Sequence, residues 1–517
     1  KILSQAFLEQ PQRYSHASLQ EVMQAFVSDG LKLSDITDGQ LPNGTCFAAN
    51  ALDLRMLFSC LVDADYLETQ AHMEGDATNL RRYRPHGPAM NVEQAIKALH
   101  QLVDGFDASA SRLARQRRML FDACITAASQ KQGLFTLTAP TGFGKTLAML
   151  AFALHHAKTH GLRRIVLVMP FLNIIEQTAL IYHKLFSPAN GFAEHCVLED
   201  HSLARGQVDQ QTDEARDALQ DGLQPDARPS LKRLLAENWD APIILTTNVQ
   251  LLESLMAHKP SACRKLHRLA GSVIMMDEAQ TLPPHLAKAT IATLSRLADP
   301  DGPYRATVLM ATATQPAFDS LDSQVRPLAS SGWKPREINL HQQEMFATAA
   351  SRIQVTWQHE RPMSVDQFAQ KLADHHQVLA IVNLKRHAAA LTQSVIQVIG
   401  SEGVMHLSTS MCPAHRIETL AKVREALKQN QPVRLISTQC VEAGVDLSFP
   451  AVWRTLAPLE SLSQAAGRCN RHGEMNQPGQ FHVVQLDDGG RNLWPPGYKE
   501  GVLATVAWLN ELARDQQ

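Results

Sequence analysis

From residue 134 onward, short apolar runs alternate with longer stretches in which apolar residues recur at the spacing of an amphipathic helix. Each run ends in a polar residue or in glycine or proline, as buried strands of a parallel sheet do. The eight runs are LFTLTAP, RRIVLVMP, APIILTTN, SVIMMDEAQ, ATVLMATAT, QVLAIVNL, PVRLIST and GQFHVVQL. The pattern predicts an α/β fold whose parallel strands carry ligand sites at their carboxyl ends.

The apolar periodicity weakens between residues 315 and 376, and this predicts a boundary between two α/β lobes. The polar, acidic stretch 205–230 is interpreted as a surface insertion. The predicted order is a helical segment at 1–80, a connector at 81–110, a first lobe at 111–325, a second lobe at 345–490 and the start of a further region at 491–517.

Composition limits the class of protein without naming it. The formal net charge is -2, so a nucleic-acid contact would depend on local grooves rather than on an overall basic field. No apolar run reaches the roughly 18 residues that a membrane span needs, which argues against a membrane partner. Eight cysteines without a CxxC pair indicate neither a zinc site nor a disulfide scaffold, and a reducing cytoplasm is the expected location.

The stretch TLTAPTGFGKTLAML follows a predicted strand and opens a predicted helix, which is the context that a phosphate-binding loop requires. Gly142 and Gly144 allow the backbone after Thr141 to curl so that its N–H groups face phosphate oxygens. Lys145 is expected to contact the β- and γ-phosphates of ATP, and the Thr146 hydroxyl is expected to bind Mg²⁺. The alternative, a glycine-rich turn beside a surface lysine, fits this strand and helix context less well.

A second candidate site stands at the end of the run SVIMMDEAQ. Asp277 is placed to hold Mg²⁺, and Glu278 is placed to orient and deprotonate an attacking water. An Asp-Glu pair after an apolar run is weak evidence alone, but it becomes strong here because it lies about 130 residues beyond Lys145, on another strand of the same predicted sheet.

In the second lobe, SLSQAAGRCNRHG places Gln464, Arg468 and Arg471 on one face of a predicted helix. An arginine that reaches across from a second lobe can stabilise the charge that develops on a γ-phosphate. The alternative is a solvated basic face.

Together these stretches resemble, in order, the motifs of superfamily 2 helicases, which implies two tandem RecA-like P-loop lobes that hydrolyse ATP and move along a strand. The departure of Ala139 from the broad P-loop pattern fits the helicase variant A-x-T-G-x-G-K-T. The resemblance assigns further roles: adenine or ATP binding to Arg115, Gln116, Gly444 and Asp446, strand contact to Pro170, Phe171, Thr246, Thr247 and Thr438, and coupling to Thr312 and Thr314.

The spellings APTGFGKT, MMDEAQTLPP and ESLSQAAGRCNRHGE most resemble the CRISPR-associated helicase-nuclease of type I interference systems, in its subtype I-C form. This resemblance implies 3′-to-5′ movement on a displaced single DNA strand, recruitment by a crRNA-guided surveillance complex (Cascade), and use of Mg²⁺ and ATP. It also implies an N-terminal HD nuclease domain that holds divalent transition metals, of which residues 1–80 would be the C-terminal, α-helical remnant.

The stretch LFSCLVDADYLET puts Asp63 and Asp65 in an apolar segment, where ionised groups are costly unless something pairs with them. The resemblance implies that Asp65 corresponds to the last metal ligand of the HD domain. The alternative is a polar patch on a core helix. The chain departs from that family in containing no His-Asp dipeptide. We therefore expect the nuclease site of this chain to be incomplete and inactive.

Two rival functions remain open at this point. The chain could be an RNA helicase or another member of superfamily 2, since RecA-like lobes contact mostly backbone. It could also be a nucleotide-gated binding module that changes partners without translocating.

The adjacent histidines 155–156 follow the P-loop on a predicted helix. Because their side chains point about 100° apart, they are interpreted as structural residues and not as a pair of metal ligands.

Overall fold

The computed structural model describes residues 47–76, 78–106, 111–201, 230–256, 259–313, 318–442 and 444–515. Apart from Ser230, the insertion expected at 205–230 lies outside these ranges. Within them the chain forms two parallel sheets, each covered by helices on both faces. The predicted α/β class with two P-loop type lobes is thereby confirmed.

The first sheet has the strand order β3-β4-β2-β5-β6-β1-β7, and every pairing is parallel. Its strands are β1 Leu134–Thr138, β2 Arg164–Met169, β3 Val197–Asp200, β4 Ile243–Thr247, β5 Ser272–Asp277, β6 Thr307–Thr312 and β7 Arg336–Glu337.

The second sheet has the strand order β10-β11-β9-β12-β13-β8, again with parallel pairings. Its strands are β8 Ile353–Met363, β9 Gln377–Ile381, β10 Val404–Leu407, β11 Val433–Ser437, β12 Ala451–Thr455 and β13 Gly479–Leu486.

The described α-helices precede, connect and follow these strands. They are α1 Phe47–Met73, α2 Val92–Asp104, α3 Arg112–Ala127, α4 Lys145–His160, α5 Leu172–Leu185, α6 Leu231–Asn238, α7 Asn248–Met256, α8 Pro260–Cys263, α9 Pro284–Leu297, α10 Asp322–Val325, α11 Gln342–Ala350, α12 Val365–Ala373, α13 Lys385–Ile399, α14 Pro413–Lys428, α15 Leu459–Ala466 and α16 Tyr498–Asp515. None of them is both long and apolar enough to cross a membrane.

Alternation along each strand explains why both faces of the sheets are covered. In β2, Ile165 and Leu167 enter one core, whereas Val166 and Val168 enter the core on the opposite face. A strand with apolar residues at every position can be stable only between two helical layers, because either face would otherwise expose apolar surface to water. The continuous apolar runs in the sequence therefore predict that helices cover both faces of each sheet.

The boundaries of the lobes differ from the sequence-based ones in three places. Strand β7 lies beyond residue 325 yet pairs with β1 of the first sheet. The expected connector at 81–110 contains helix α2, whose Ala95 and Leu99 are buried in the core of the first lobe. Val502 of α16 is likewise buried in the core of the second lobe.

Candidate functional site: a cavity between the two lobes

The phosphate-binding loop predicted from the sequence connects β1 to α4. Gly142 and Gly144 have φ values of 83° and 80°, a backbone conformation that other residues adopt only with strain. Lys145 is the first residue of α4, is almost fully buried, and donates from Nζ to the carbonyl oxygen of Ala139 at 3.0 Å. The loop is thus already curled, with its lysine held over it.

A cavity of about 530 Å³ opens in front of this loop and receives residues from both lobes. From the sequence-predicted set, it is lined by Thr141, Gly142, Gly144, Lys145, Thr146, Asp277, Glu278, Gly444, Asp446, Arg468 and Arg471. Motifs that lie far apart along the chain therefore meet at one place, at the carboxyl ends of the strands.

Asp277 and Glu278 stand at the end of β5, and both are at least nine-tenths buried. Burial, and after it the nearby Glu278, raise the pKa of Asp277 to about 7, although Lys145 opposes both effects. Glu278 has φ 51° and ψ 50°, an uncommon conformation for a residue with a side chain. Such strain concentrates at functional sites.

Glu278 is connected to the end of β6 through Gln280. The Gln280 amide donates from Nε2 to Glu278 Oε2 at 2.7 Å, and its oxygen accepts a hydrogen bond from the hydroxyl of Thr312. This is the connection that a coupling role for Thr312 requires. The other coupling candidate, Thr314, lies outside the described residues.

Arg468 is held by the backbone of its own lobe and faces the cavity. Its Nε donates to the Val441 carbonyl at 2.9 Å and its Nη2 to the Glu442 carbonyl at 2.6 Å. The remaining nitrogen, Nη1, is buried without a hydrogen-bond partner among the described residues. Burial, followed by the nearby Arg471, lowers the pKa of Arg468 to about 9. A buried N–H without an acceptor is costly, and an anion in the cavity would satisfy it.

Arg471 forms an ion pair with Asp446, with Nε 2.8 Å from Oδ1. Both side chains belong to the second lobe and line the cavity. The prediction of one helix face for the motif arginines is wrong, because α15 ends at Ala466 and Gly467 caps it. The two arginines project from the turn that follows. Gln464 remains in the helix, buried and away from the wall of the cavity.

The two lobes approach each other at glycines. A Cβ atom on Gly467 would lie 2.0 Å from Thr141 Oγ1 of the phosphate-binding loop. A Cβ atom on Gly444, where φ is 73°, would lie 2.4 Å from a side-chain carbon of Ile174. These contacts require residues without a side chain, so both glycines are determinants of how closely the lobes fit.

The two residues expected to sense adenine do not reach the cavity. Arg115 is exposed, and Gln116 is buried with its Nε2 donating to Thr348 at 3.0 Å and to Glu344 at 3.2 Å. Gln116 lies on the core face of α3, with residues 113, 120 and 124. Arg117, Arg118 and Phe121 of that helix line the cavity in their place. The helical spacing of the buried positions could have identified this face from the sequence.

Two of the expected strand contacts are closed off from solvent. Thr246 is fully buried and donates its hydroxyl hydrogen to the Asp200 carbonyl at 2.9 Å. Thr438 is 4% exposed, with its hydroxyl directed at Cys440 Sγ. Their hydroxyls cannot reach a nucleic-acid strand in this conformation, so the expected strand contact through these hydroxyls is wrong for both residues.

The remaining strand candidates are accessible to different degrees. Phe171 is 46% exposed, Pro170 is half-buried, and Thr247 is half-buried with its hydroxyl accepting a hydrogen bond from the Gln250 N–H. Phe171 is therefore the most exposed of the five expected strand contacts, and it is the aromatic residue among them.

The paired aspartates of α1 have opposite environments. Asp63 is buried and forms an ion pair with Arg264 at 2.8 Å, while Asp65 is exposed. Within the described ranges, no group of three or more His, Cys, Asp or Glu residues could hold a metal ion. The described residues do not fit a nuclease metal, and Asp65 has no partner ligands there.

Two sequence families match the chain. Residues 121–321 match the family described as DEAD/DEAH box helicase. Residues 374–474 match the family described as CRISPR-associated nuclease/helicase Cas3, C-terminal. The two matches fall on the first and the second sheet, respectively, and both flank the cavity.

The chain is similar in sequence to curated proteins and in fold to solved structures. The CRISPR-associated nuclease/helicase Cas3 of Haloferax volcanii is 26% identical over 464 residues, covering 72% of this chain and 48% of the relative. The chain spans about half the length of the curated relatives it matches. A crystal structure of T. fusca Cas3 with ATP has a TM-score of 0.59 at 19% identity, covering 84% of this chain and 52% of the other. A chain in a pre-nicking CRISPR RNA-guided surveillance complex has a TM-score of 0.52 at 18% identity, with coverages of 80% and 50%. The structural likenesses establish the fold.

Proposed function

Because the chain is homologous to the CRISPR-associated Cas3 nuclease/helicases, we propose that its two lobes form an ATP-driven motor that moves along single-stranded DNA. The observation that carries this proposal is the cavity in which Lys145 and Glu278 of one lobe face Arg468 of the other. Hydrolysis at such a site changes the charge between the lobes and so can open and close them.

The charged motif residues of the cavity have different proposed roles in ATP hydrolysis, and the surroundings of each support its role. Lys145 contacts the phosphate chain, and Glu278 orients the attacking water and accepts its proton. Arg468 stabilises the charge on the γ-phosphate, because its buried Nη1 has no acceptor among the described residues and the carbonyls of its lobe hold the rest of the guanidinium. Arg471 stabilises the same charge together with Arg468, and its ion pair with Asp446 holds its side chain in place.

Thr146 and Asp277 fit a Mg²⁺ ion that accompanies ATP. Both line the cavity, and a hydroxyl and a carboxylate are oxygen donors of the kind that Mg²⁺ prefers. The raised pKa of Asp277 is the mark of a buried carboxylate that lacks sufficient positive charge nearby. Bound Mg²⁺ would neutralise negative charge on the phosphate oxygens.

The proposed substrate is the single DNA strand displaced by a crRNA-guided surveillance complex, which would also recruit the protein. Homology to Cas3 proteins supports this, as does the likeness to a chain from a surveillance complex. Phe171 offers a stacking surface at the end of the first sheet, which any base can use. We assign no nuclease step to the described residues, since they do not provide the ligands for its metal.

ATP turnover measured without nucleic acid, with single-stranded DNA and with RNA of the same sequence tests the proposal. We expect stimulation by DNA and little by RNA, with Lys145→Ala as the inactive reference. Lys158→Ala is the matched control, because Lys158 is an exposed lysine of the same helix. Equal stimulation by RNA would indicate an RNA helicase. Turnover indifferent to both strands would favour the gated binding module.

A further inference from the structure

Two of the arginines that line the cavity form no ion pair with the described residues. Arg118 is paired with Asp104 and Asp122, and Arg471 is paired with Asp446. Arg468 has only backbone carbonyls as partners, as described above. Arg117 of the first lobe is the other arginine without a carboxylate partner in the described ranges, and no sequence motif drew attention to it.

Arg117 is held against the phosphate-binding loop. Its Nε donates to the carbonyl oxygen of Gly142 at 2.8 Å. Its Cγ lies 3.6 Å from the position that a Cβ atom on Gly144 would occupy. The guanidinium is therefore fixed by one nitrogen at the edge of the loop, which leaves the two terminal nitrogens to bind something else.

Arg468 of the second lobe, which also lines the cavity, is held in a similar way. Each arginine is anchored through backbone carbonyls, which orient the guanidinium without neutralising it. Arginines that are anchored in this way and form no direct ion pair are suited to bidentate contacts with phosphate oxygens.

The charge around Arg117 favours an anion at this place. Burial lowers the pKa of Arg117, and the nearby Arg471 lowers it further, while Asp446 and Glu474 offset the effect in part. Arg352 has its pKa lowered to about 10 by burial and by the same two arginines. Three guanidinium groups thus repel one another where the lobes meet, and a polyphosphate beside Arg117 and Arg471, the two that line the cavity, would reduce that repulsion.

We propose that Arg117 is a ligand of the nucleotide phosphates, contributed by the first lobe and facing Arg468 of the second. The inference rests on the proposed use of ATP and adds to it a residue outside the helicase motifs. With one anchored arginine on each wall, the phosphate chain itself draws the lobes together. Arg117 then contributes mainly to the affinity for nucleotide, whereas Arg468 contributes to the rate of hydrolysis.

The test compares Arg117→Ala, Arg117→Lys and the wild-type chain in binding a non-hydrolysable ATP analogue, ADP, AMP and adenosine. We expect Arg117→Ala to weaken binding of the ATP analogue and of ADP at least tenfold, with AMP affected less and adenosine unchanged. Arg117→Lys should recover part of the loss, because it retains the charge but not the bidentate geometry. Arg112→Ala is the control, since Arg112 is an exposed arginine of the same helix away from the cavity.

The outcomes separate this inference from the proposed function. Wild-type affinity for the ATP analogue in Arg117→Ala would overturn the inference and leave the proposed function intact. An equal loss for adenosine and for the ATP analogue would also overturn it, because Arg117 would then only shape the cavity. If the wild-type chain binds neither ATP analogue nor ADP, the proposed function fails as well. If thermal melting shows that Arg117→Ala is unfolded, the comparison of Arg117→Lys with Arg117→Gln decides, since both retain a long polar side chain.

Discussion

The carboxylate of Asp63 in α1 lies 2.8 Å from Arg264 Nε, and both side chains are about 95% buried. Arg264 also contacts Glu237 at 3.0 Å, and Asn238 donates a hydrogen bond to the other Asp63 oxygen at 2.9 Å. Asp65, two residues along the same helix, is exposed. The ion pair therefore fixes α1 to the first lobe and leaves the face that carries Asp65 open.

Replacing Asp63 by alanine should lower the free energy of unfolding by about 3 kcal/mol, because it leaves a buried guanidinium without its closest carboxylate. Glu237 reduces the loss but is itself partly exposed. Asp65→Ala, on the exposed side, should change stability by less than about 0.5 kcal/mol. Urea unfolding of the two variants measures the difference, and similar midpoints would contradict the docking role of Asp63.

Substitutions at Glu278 and at Lys145 should affect different steps, the first ATP hydrolysis and the second ATP binding. Glu278→Gln keeps the size of the side chain but removes the base, so it should lower kcat for ATP by at least about 100-fold and retain binding. Lys145→Ala removes a charge that acts on bound phosphate, so it should weaken binding itself. Titration with a fluorescent ATP analogue beside steady-state turnover distinguishes the two. Equal losses of affinity would show that Glu278 is structural.

Gly467→Ala should prevent the lobes from closing over the nucleotide, because the added methyl group would meet Thr141 Oγ1 at 2.0 Å. We expect ATP turnover to fall at least about tenfold with little change in melting temperature, since the contact is between lobes and not within a core. Thr141→Ala removes the atom of closest approach, so the double variant should recover part of the activity. Wild-type turnover in Gly467→Ala would show that this approach is not needed for hydrolysis.

Much of the fold was predictable because buried parallel strands have continuous apolar runs. All eight runs singled out in the sequence are strands in the structure. Five strands were missed, namely β3, β7, β8, β10 and β12. Of these, β8 is an edge strand with mostly exposed residues, and β12 is interrupted by Arg454. Arg454 is fully buried, with Glu442 2.7 Å from its Nε and with Nη1 donating to Asn383 at 2.7 Å, and neither partner can be read from the sequence.

The site was predictable where a motif fixes backbone geometry, as in the phosphate-binding loop, and less so where only tertiary packing decides. Thr246 and Gln116 match helicase motifs by sequence, but the first points into a core and the second bonds to Thr348. Between Asp63 and Asp65, helical periodicity could not show which one is buried, because the burial of Asp63 depends on Arg264, distant in sequence.

His156 should make stability depend on pH. It is buried between the Ala128 carbonyl and Thr307, and burial lowers its pKa to about 4. Between the folded value and the unfolded value of about 6.5, the unfolded chain binds a proton that the folded chain does not, so stability is lost as pH falls. The loss can reach about 3 kcal/mol at 1.4 kcal/mol per unit. Urea midpoints measured from pH 7 to pH 4 should fall less steeply for His156→Gln, and parallel curves would exclude His156 as the cause.

Thr312 is the place where hydrolysis can be separated from movement. Its hydroxyl donates to Gln280, which in turn donates to Glu278, so the end of β6 is connected to the residue proposed to activate water. Thr312→Val keeps the shape of the side chain but removes this donor. We expect ATP turnover to stay within about fivefold of wild type while strand displacement falls at least about tenfold. The substitution removes the hydrogen bond from Thr312 to Gln280 but leaves Glu278, the proposed base, in place. Thr312→Ser retains the hydroxyl and should preserve both activities. A proportional loss of turnover and displacement in Thr312→Val would instead place Thr312 in the support of Glu278 and not in coupling.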